Sequence, residues 1–415
     1  MKSRQRTCAA FFFVLFCGIV PRLGSAQDQP QSTNLTLEQA LSRARLRAPI
    51  LLSARARIEE ARARLRGSSI LQQTNPMVEG TVGPRFSDPS NVTAADVSVS
   101  QDFEAFGRRS ARIAGAQAGV SREIAASHET ARQLLRDVAT SFARALAASE
   151  RLKVLAAGDQ LASAFLDTAE RRFQAGDIPV LEVNLAKNSA ARTRAALLSG
   201  RAELADALGE LRLSLGIPTA EELSVSGDLR TPGKYDLDAL ILSAEDRPDI
   251  RVLESELQQA LSDARLGNTF KSPDFGVIGR YQRDQGDNIA QAGVRISIPV
   301  FSRGQELTGT ANARANRIRA ELEASKTAIR NEVRSAFEVY THHSEAAQEL
   351  ERRALPSLDE NETLARRSYE EGELGLAELL LIRKETLETR LLYVNTLLDA
   401  FIAGVDLQSK AGFLK

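Results

Sequence analysis

Three histidines are the first residues to test for metal or proton-transfer chemistry. His128 stands alone, while His342 and His343 are neighbours. Adjacent residues on a helix point about 100° apart, so the pair makes a poor chelate. They read as solvated or lumen-facing helix residues, with a transient metal contact as the lesser reading. No phosphate-cradling glycine loop, zinc motif or nucleophile motif occurs. Acidic residues are numerous, but their placement on helical segments fits solubility and i,i+4 pairing. No catalytic residue, cofactor site or metal site is therefore expected, and an enzyme is not the expected class. Fifty-four basic residues balance 54 acidic ones, for a formal net charge of zero. That balance gives no footing for nucleic-acid binding.

Both cysteines, Cys8 and Cys17, fall in a leader. Lys2, Arg4 and Arg6 form a basic start, Cys8 to Val20 is apolar, and Gly24-Ser25-Ala26 supplies small residues for cleavage. Residues 1–26 thus read as a secretory signal peptide. Phe16 is bulky where lipid attachment at Cys17 would want a small residue. Cleavage after Ala26 leaves no thiol, hence neither a disulfide nor a cysteine metal site. No other apolar run is long enough for a transmembrane helix.

The elements that must position any working surface are organised around one stretch used twice. It runs from Arg171 to Arg194 and again from Arg366 to Arg390, displaced by about 196 positions. Phe173 falls on Tyr369, Gly176 on Gly372, Glu182 on Glu378 and Leu185 on Leu381. Each copy reads as a long helix ending at glycine, a tight turn and a second long helix. In the helix after the first turn, Ala186, Ala190, Thr193, Leu197, Gly200, Leu204, Ala207 and Leu211 step by four and three. Ile382, Thr386, Thr389, Tyr393, Thr396, Ala400, Ala403 and Leu407 repeat that register. A second stripe runs beside each, Ala191 to Gly209 and Leu387 to Val405. Heptad stripes hold a helix against a neighbour. Two stripes imply two neighbours, as in the wall of a helix array, although an ordinary bundle core would also give apolar stripes.

Leu35 to Gln73 reads as one long helix, and its segment Ala40-Leu41 to Pro49 recurs as Ala239-Leu240 to Pro248. The chain therefore divides into a first repeat, 27–230, and a second, 231–415, with a linker near Gly216 to Tyr235. After each opening helix the period changes to two. Val78, Gly80, Val82 and Phe86 alternate with polar residues, as do Val97, Val99 and Phe103. Phe275, Val277, Gly279 and Tyr281 alternate likewise, and so do Ala292, Val294, Ile296, Ile298 and Val300. Each half holds two strands around a polar loop, Ser87–Ala94 or Arg283–Ile289. Such strands fit a transmembrane barrel with a wet lumen, or a small soluble hairpin packed on one face. In the barrel reading Val294, Ile296 and Ile298 face lipid, while Arg295 and Ser297 face the lumen. Phe106-Gly107-Arg108-Arg109 and Phe301-Ser302-Arg303-Gly304 then lead into helices on the order of 100 Å long. Gly158 and Pro356 read as interruptions at similar depth in those helices.

This duplicated order of elements behind a secretory signal resembles the TolC-like outer-membrane efflux protein family over nearly the whole mature chain. Gly176-Asp177-Ile178-Pro179 is similar to the heavy-metal cation efflux, CzcC-like branch. The resemblance implies a mainly α fold with a small transmembrane β part: a duplicated helical-hairpin α-barrel, plus four strands per chain joining a trimeric β-barrel. It implies an outer-membrane location, bilayer lipid around the barrel and a periplasmic helical portion. It also implies a passive duct working as a homotrimer with a periplasmic adaptor protein and an inner-membrane efflux pump. Carried to this sequence, the adaptor contact falls on Phe173, Gly176, Asp177, Ile178, Tyr369, Gly372, Glu373 and Leu374. Acids stand beside both turns: Asp177, Glu182, Glu370, Glu371, Glu373 and Glu378. They read either as a charged ring at a constricted tip or as partners of the helix dipole. A soluble periplasmic coiled-coil adaptor or scaffold is the alternative of another class. The cargo, whether metal ion, drug or polypeptide, is not encoded in any of these motifs.

Overall fold

In the computed structural model, residues 33–86, 92–104, 106–218, 222–230, 233–284 and 286–413 are described. The leader, with Cys8 and Cys17, lies outside them, as does most of the polar loop expected over Ser87–Ala94. The first described residues, Thr33–Leu35 (β1), form a short strand that pairs in parallel with Leu223–Val225 (β4).

The long helix expected over Leu35 to Gln73 is broken in two. Helix α1 spans Leu37–Arg47 and opens on a capping box in which Thr36 and Gln39 satisfy each other's backbone N–H. Helix α2 spans Pro49–Ser69. Between them Ala48 is extended, at φ −63° and ψ 127°, because the proline ring crowds the α conformation of the residue before it. The second half repeats the device. Asp236 caps α5 (Leu237–Ala244), Arg247 is extended, and Pro248 opens α6 (Pro248–Thr269). The two short helices strap the long ones at mid-height. Ala40 and Ala44 bury against Val138, Phe142, Leu211 and Leu215. Leu240 and Ala244 bury against Val333, Tyr340 and Leu407.

The long helices are α3 (Arg108–Gln174), α4 (Val180–Leu215), α7 (Gln305–Glu349), α8 (Leu355–Glu370) and α9 (Leu376–Lys410). At 67 residues, α3 extends about 100 Å. Gly158 does not interrupt it. A Cβ there would lie 3.4 Å from Leu387, so the glycine lets α9 pack closely. Pro356 does perturb its helix. Residues Leu350–Ala354 form a π turn in which the Leu355 N–H bonds Leu350 O, five residues back. The wider turn accommodates a ring that would strike the carbonyl four residues earlier.

The heptad stripes have two different fates. On α4, Ala186, Leu197, Gly200, Ala207 and Leu211 are buried against α3. The second α4 stripe, from Ala191 through Ala195, Leu198, Ala202 and Ala205, remains exposed. On α9 both stripes are covered or half covered, because α9 lies between α3 and the α7–α8 rod. Contrary to expectation, α9 is also apolar and long enough to pass for a membrane span by composition. Its apolar residues, Ala400, Ala403, Val405 and Leu407 among them, are buried within the wall.

Four strands form one antiparallel sheet in the order β2-β3-β5-β6: β2 Met77–Arg85, β3 Val92–Phe103, β5 Asp274–Asp284 and β6 Asp287–Ser297. The helices leading into and out of them lie side by side in the same order, α2-α3-α6-α7. The sheet therefore continues the helical wall strand for helix. Neither outer edge, on β2 or on β6, has a partner strand among the described residues.

Candidate functional site

Two surfaces could conduct or bind: the sheet at one end of the helical wall and the pair of turns at the other. Directly opposed residues share a face in an antiparallel ladder, so the register assigns the faces. Val78, Val99, Gly279 and Ala292 form one row, and Phe103, Phe275 and Ile296 form another on the same face. That face also carries Val82, Val97, Val277 and Val294, and all of these valines are exposed. The opposite face carries Glu79, Thr81, Asp96, Ser98, Ser100, Asp102, Arg280, Gln282 and Arg295. Ser98 and Ser100 are buried, as expected on the concave side of a curled sheet. Ion pairs stitch this polar side together. Arg280 meets Asp96 at 3.2 Å, Arg295 meets Asp102 at 2.5 Å, and Arg85 reaches Asp284 across β3.

The structure thus separates Val294 and Ile296 from Arg295 as the alternation required. It ends β6 at Ser297, so Ile298 and Val300 lie beyond the strand. Pro299, which cannot donate to a ladder, stands between them.

At the far end, the two repeated stretches form the same turn. The Asp177 N–H bonds Arg172 O and the Gly176 N–H bonds Phe173 O, both at 2.9 Å. In the second copy Glu373 N–H bonds Ser368 O and Gly372 N–H bonds Tyr369 O. This Schellman arrangement needs a left-handed residue after the helix, and Gly176 and Gly372 supply it at φ 85° and 80°. Pro179 and Gly375 then cap the next helices with one conformation, φ −75° and ψ 155°.

The surroundings of the two turns differ. Ile178, 8% exposed, packs with Ala169, Val183 and Ala186. Tyr369, 7% exposed, packs on Leu376 and Leu379, with the Phe165 ring 5.8 Å away. These two residues, expected on the contact surface, are instead fasteners inside it, and Leu374 is half-buried beside them. Phe173, Gly176, Asp177, Gly372 and Glu373 are exposed. The acids divide as well. Glu378 accepts the Gly375 N–H at 3.3 Å and acts as a cap. Glu182 occupies the same position, but Pro179 offers no N–H. Asp177 and Glu373 have no side-chain partner among the described residues and leave their charge to solvent.

Reading motifs alone missed the clasps above the turns. Arg194 of α4 meets Asp159 of α3 at 3.1 Å, and Arg390 of α9 meets Asp359 and Glu362 of α8 at 2.7 and 3.2 Å. Both arginines are the last residue of the repeated stretch, which was the available signal. Between the hairpins Arg383 lies over the Phe165 ring at 3.8 Å. Burial pushes its guanidinium below the usual arginine range, opposed by the nearby Glu362. His128 and His342 are exposed, and His342 lies 3.7 Å from Glu345. No cluster of three or more potential metal ligands occurs among the described residues.

Comparison with known proteins bears directly on this geometry. A family model described as outer membrane efflux protein matches residues 40–217. The cobalt-zinc-cadmium resistance protein CzcC of Cupriavidus metallidurans is 25% identical over 315 residues, covering 75% of each chain. The fold matches the CusC channel with a TM-score of 0.75 at 18% identity, covering 92% of this chain and 93% of that one. It matches the CmeC outer membrane channel of Campylobacter jejuni with a TM-score of 0.77 at 15% identity, covering 91% and 85%. Over residues 40–217 the chain is thus similar to the outer membrane efflux protein family, and its overall fold is that of the solved channels. It resides in the outer membrane, with its helices in the periplasm. The sheet has the make-up of a membrane part, with one apolar face suited to lipid and one polar face suited to water. The alternative of a soluble adaptor fails on that exposed apolar face. Relatives in the family are channel proteins and not enzymes.

Proposed function

We propose that the protein is the passive outer-membrane duct of a tripartite efflux system, closed as a homotrimer and fed by a periplasmic adaptor and an inner-membrane pump. The observation that carries this reading is the open four-stranded sheet, apolar outside and polar inside, continuous with the helical wall. Four strands lie below the size range of membrane barrels, and open edges do not survive in lipid. Three copies joined edge to edge, β6 to β2, would supply twelve strands. The exposed second stripe of α4 would meet its neighbour in the same closure. In this reading the chain is two repeats, 27–230 and 231–415, each giving two strands and one hairpin. Phe173, Gly176, Asp177, Gly372 and Glu373 form the exposed surface offered to the adaptor, while Ile178, Tyr369 and Leu374 hold it in shape.

We infer metal cations as the cargo. Similarity to a cobalt-zinc-cadmium resistance protein supports this, and so does the unpaired acid at the turns. Asp177 and Glu373 in three copies would gather negative charge around one axis, favouring cations at the constricted end. The test is direct. Purified trimers in planar bilayers should conduct with cation preference, and Asp177→Asn with Glu373→Gln should reduce it. A strain lacking the gene should become sensitive to cobalt, zinc or cadmium. Unchanged metal tolerance with lost resistance to organic toxicants would reassign the cargo, and absence of conductance would reject the duct.

A further inference from the structure

The duplicated motifs at 106–109 and 301–304 have no part in conduction or in the tip. Each sits where the second strand of its half gives way to a long helix. Phe106 is the one non-glycine residue with a positive φ among the described residues, at 55°. This conformation is disfavoured for a bulky side chain, and backbone strain of this kind concentrates at functional positions. Its ring lies 5.9 Å from Phe275 and is 57% exposed. Phe301, its counterpart, is 90% exposed. Beside each phenylalanine is an exposed arginine bonded only to backbone. Arg109 donates to Ser69 O at 2.8 Å, and Arg303 donates through Nε to Val300 O at 3.1 Å. Neither has a carboxylate partner among the described residues. The first-copy equivalent of Arg303, Arg108, is by contrast spent internally on Asp274 and the Phe270 ring.

The level of these groups follows from the strands. Eleven residues of β6, tilted as membrane strands are, rise about 28 Å. That height matches an apolar band of about 25 Å. The Phe103–Phe275–Ile296 row therefore closes the lipid-facing surface on the periplasmic side, and both motifs lie just beyond it. Phenyl rings there reach the acyl boundary, and guanidinium groups reach the phosphates.

We propose that each protomer carries two phospholipid sites at its strand-to-helix joints, Phe106 with Arg109 and Phe301 with Arg303. Each takes the headgroup phosphate of a periplasmic-leaflet lipid on the arginine and the top of its acyl chains against the ring. The proposal rests on the sheet being the bilayer-spanning part. It goes beyond conduction, because it assigns specific lipid contacts that fix the height and tilt of the duct.

The test uses the full-length trimer purified in a neutral detergent, with lipid retention read by native mass spectrometry. Dioleoylphosphatidylglycerol, dioleoylphosphatidylcholine and inorganic phosphate are titrated in parallel. Phosphatidylglycerol should bind tightest and inorganic phosphate negligibly. Arg303→Gln should weaken phosphatidylglycerol about fivefold, and Arg109→Gln with Arg303→Gln about thirtyfold. Phe301→Ala should weaken both lipids. If loss of the Ser69 contact spoils the double variant, Arg303→Gln and Phe301→Ala decide alone, since Phe301 is almost wholly exposed and Arg303 bonds only a neighbouring carbonyl. Unchanged lipid affinity in both would overturn the proposal, as would inorganic phosphate competing as well as lipid. Conductance of the same trimers separates the two readings. Conducting trimers with unaltered lipid affinity sink the lipid sites and leave the duct intact, whereas non-conducting wild-type trimers sink the duct.

Discussion

A single lysine placed at three positions of the sheet should report both its faces and its depth in the bilayer. Val99 is 48% exposed and pairs with Val78 and Gly279, and Gly279 in turn pairs with Ala292. Gly279 and Ala292 are the central residues of the eleven-residue strands β5 and β6, so Val99 lies at the bilayer midplane. Ile296, one residue from the end of β6, lies on the same face near the periplasmic border. Thr81 lies on the polar face opposite Asp96. A lysine facing lipid costs about 2–4 kcal/mol at the midplane and about 0–1 kcal/mol near an interface. Val99→Lys should therefore cost about 6–12 kcal/mol over three copies, and Ile296→Lys at most about 3. Thr81→Lys sits in water beside a carboxylate and should be close to neutral.

The sequence has no tryptophan, so stability is best followed by circular dichroism of trimers refolded into vesicles, together with their resistance to dissociation in sodium dodecyl sulfate. The expected ranking of damage is Val99→Lys, then Ile296→Lys, then Thr81→Lys. Equal damage at all three positions would show that the sheet does not span the bilayer as its register implies. Greater damage at Ile296 than at Val99 would put the membrane at a different height.

Other outcomes follow from single features. Gly176→Val and Gly372→Val force a β-branched residue into left-handed backbone, costing at least about 1–2 kcal/mol each, and should abolish co-purification of the adaptor while trimers persist. Arg390→Ala frees Asp359 and Glu362; these are surface pairs, so stability should fall by no more than about 1 kcal/mol, while single-channel conductance rises if the clasp holds the tip closed. Gly200→Leu drives into Leu155, whose Cδ1 already stands 2.7 Å from the Cβ position, and should cost about 1–3 kcal/mol by overpacking the α3–α4 seam. Asp263 is held above its ordinary value of 3.8 by burial, against the pull of Arg314. Its folded state binds the proton more tightly than the unfolded one, so stability declines as pH rises from 3.8 through the raised folded value. Asp263→Asn should raise the melting temperature at pH 7 and lose that advantage in acid, as thermal scans at both values would reveal.

Much of this architecture was legible because two periods coexist in one chain. Alternation around Val97 and Val294 and heptads through Leu197 and Tyr393 demanded strands and helices in those places, and every residue of the first α4 stripe is buried or half-buried. The break at Ala48 was missed although Pro49 announced it, because the apolar pattern on either side stays helical. Gly158 and Pro356 looked alike as helix breakers, yet only proline forbids a backbone hydrogen bond. A glycine with the Leu387 side chain above it is a packing device. The burial of Tyr369 could not be read from its own hairpin alone, since Phe165 and Leu185 of the other hairpin close over it, whereas Ile178 is buried within its own hairpin by Ala169, Val183 and Ala186.

That last point bears on how a duplicated sequence makes an unequal machine. Both turns share one hydrogen-bond pattern, and their following helices start from the same backbone angles. Yet Phe173 is exposed where Tyr369 is buried, because Phe165 of α3 reaches the second hairpin and stacks there while Arg172 covers the same tyrosine at 5.5 Å. The first hairpin thus covers Tyr369 through Phe165 and Arg172, while the second answers with Arg383 over the Phe165 ring and leaves Phe173 uncovered. The wall shows the same inequality: α9 is covered on both stripes within the chain, whereas α4 leaves one open. Among the described residues the π turn occurs only in the second half, at the level where α7 passes into α8 beside α9. Its extra residue per turn shifts the face that α8 presents below that point, so the second hairpin leaves the straight course of the first. Identical local rules therefore produce a hairpin held on two sides and a hairpin held on one. The α4 flank is the one left free for a second copy of the chain.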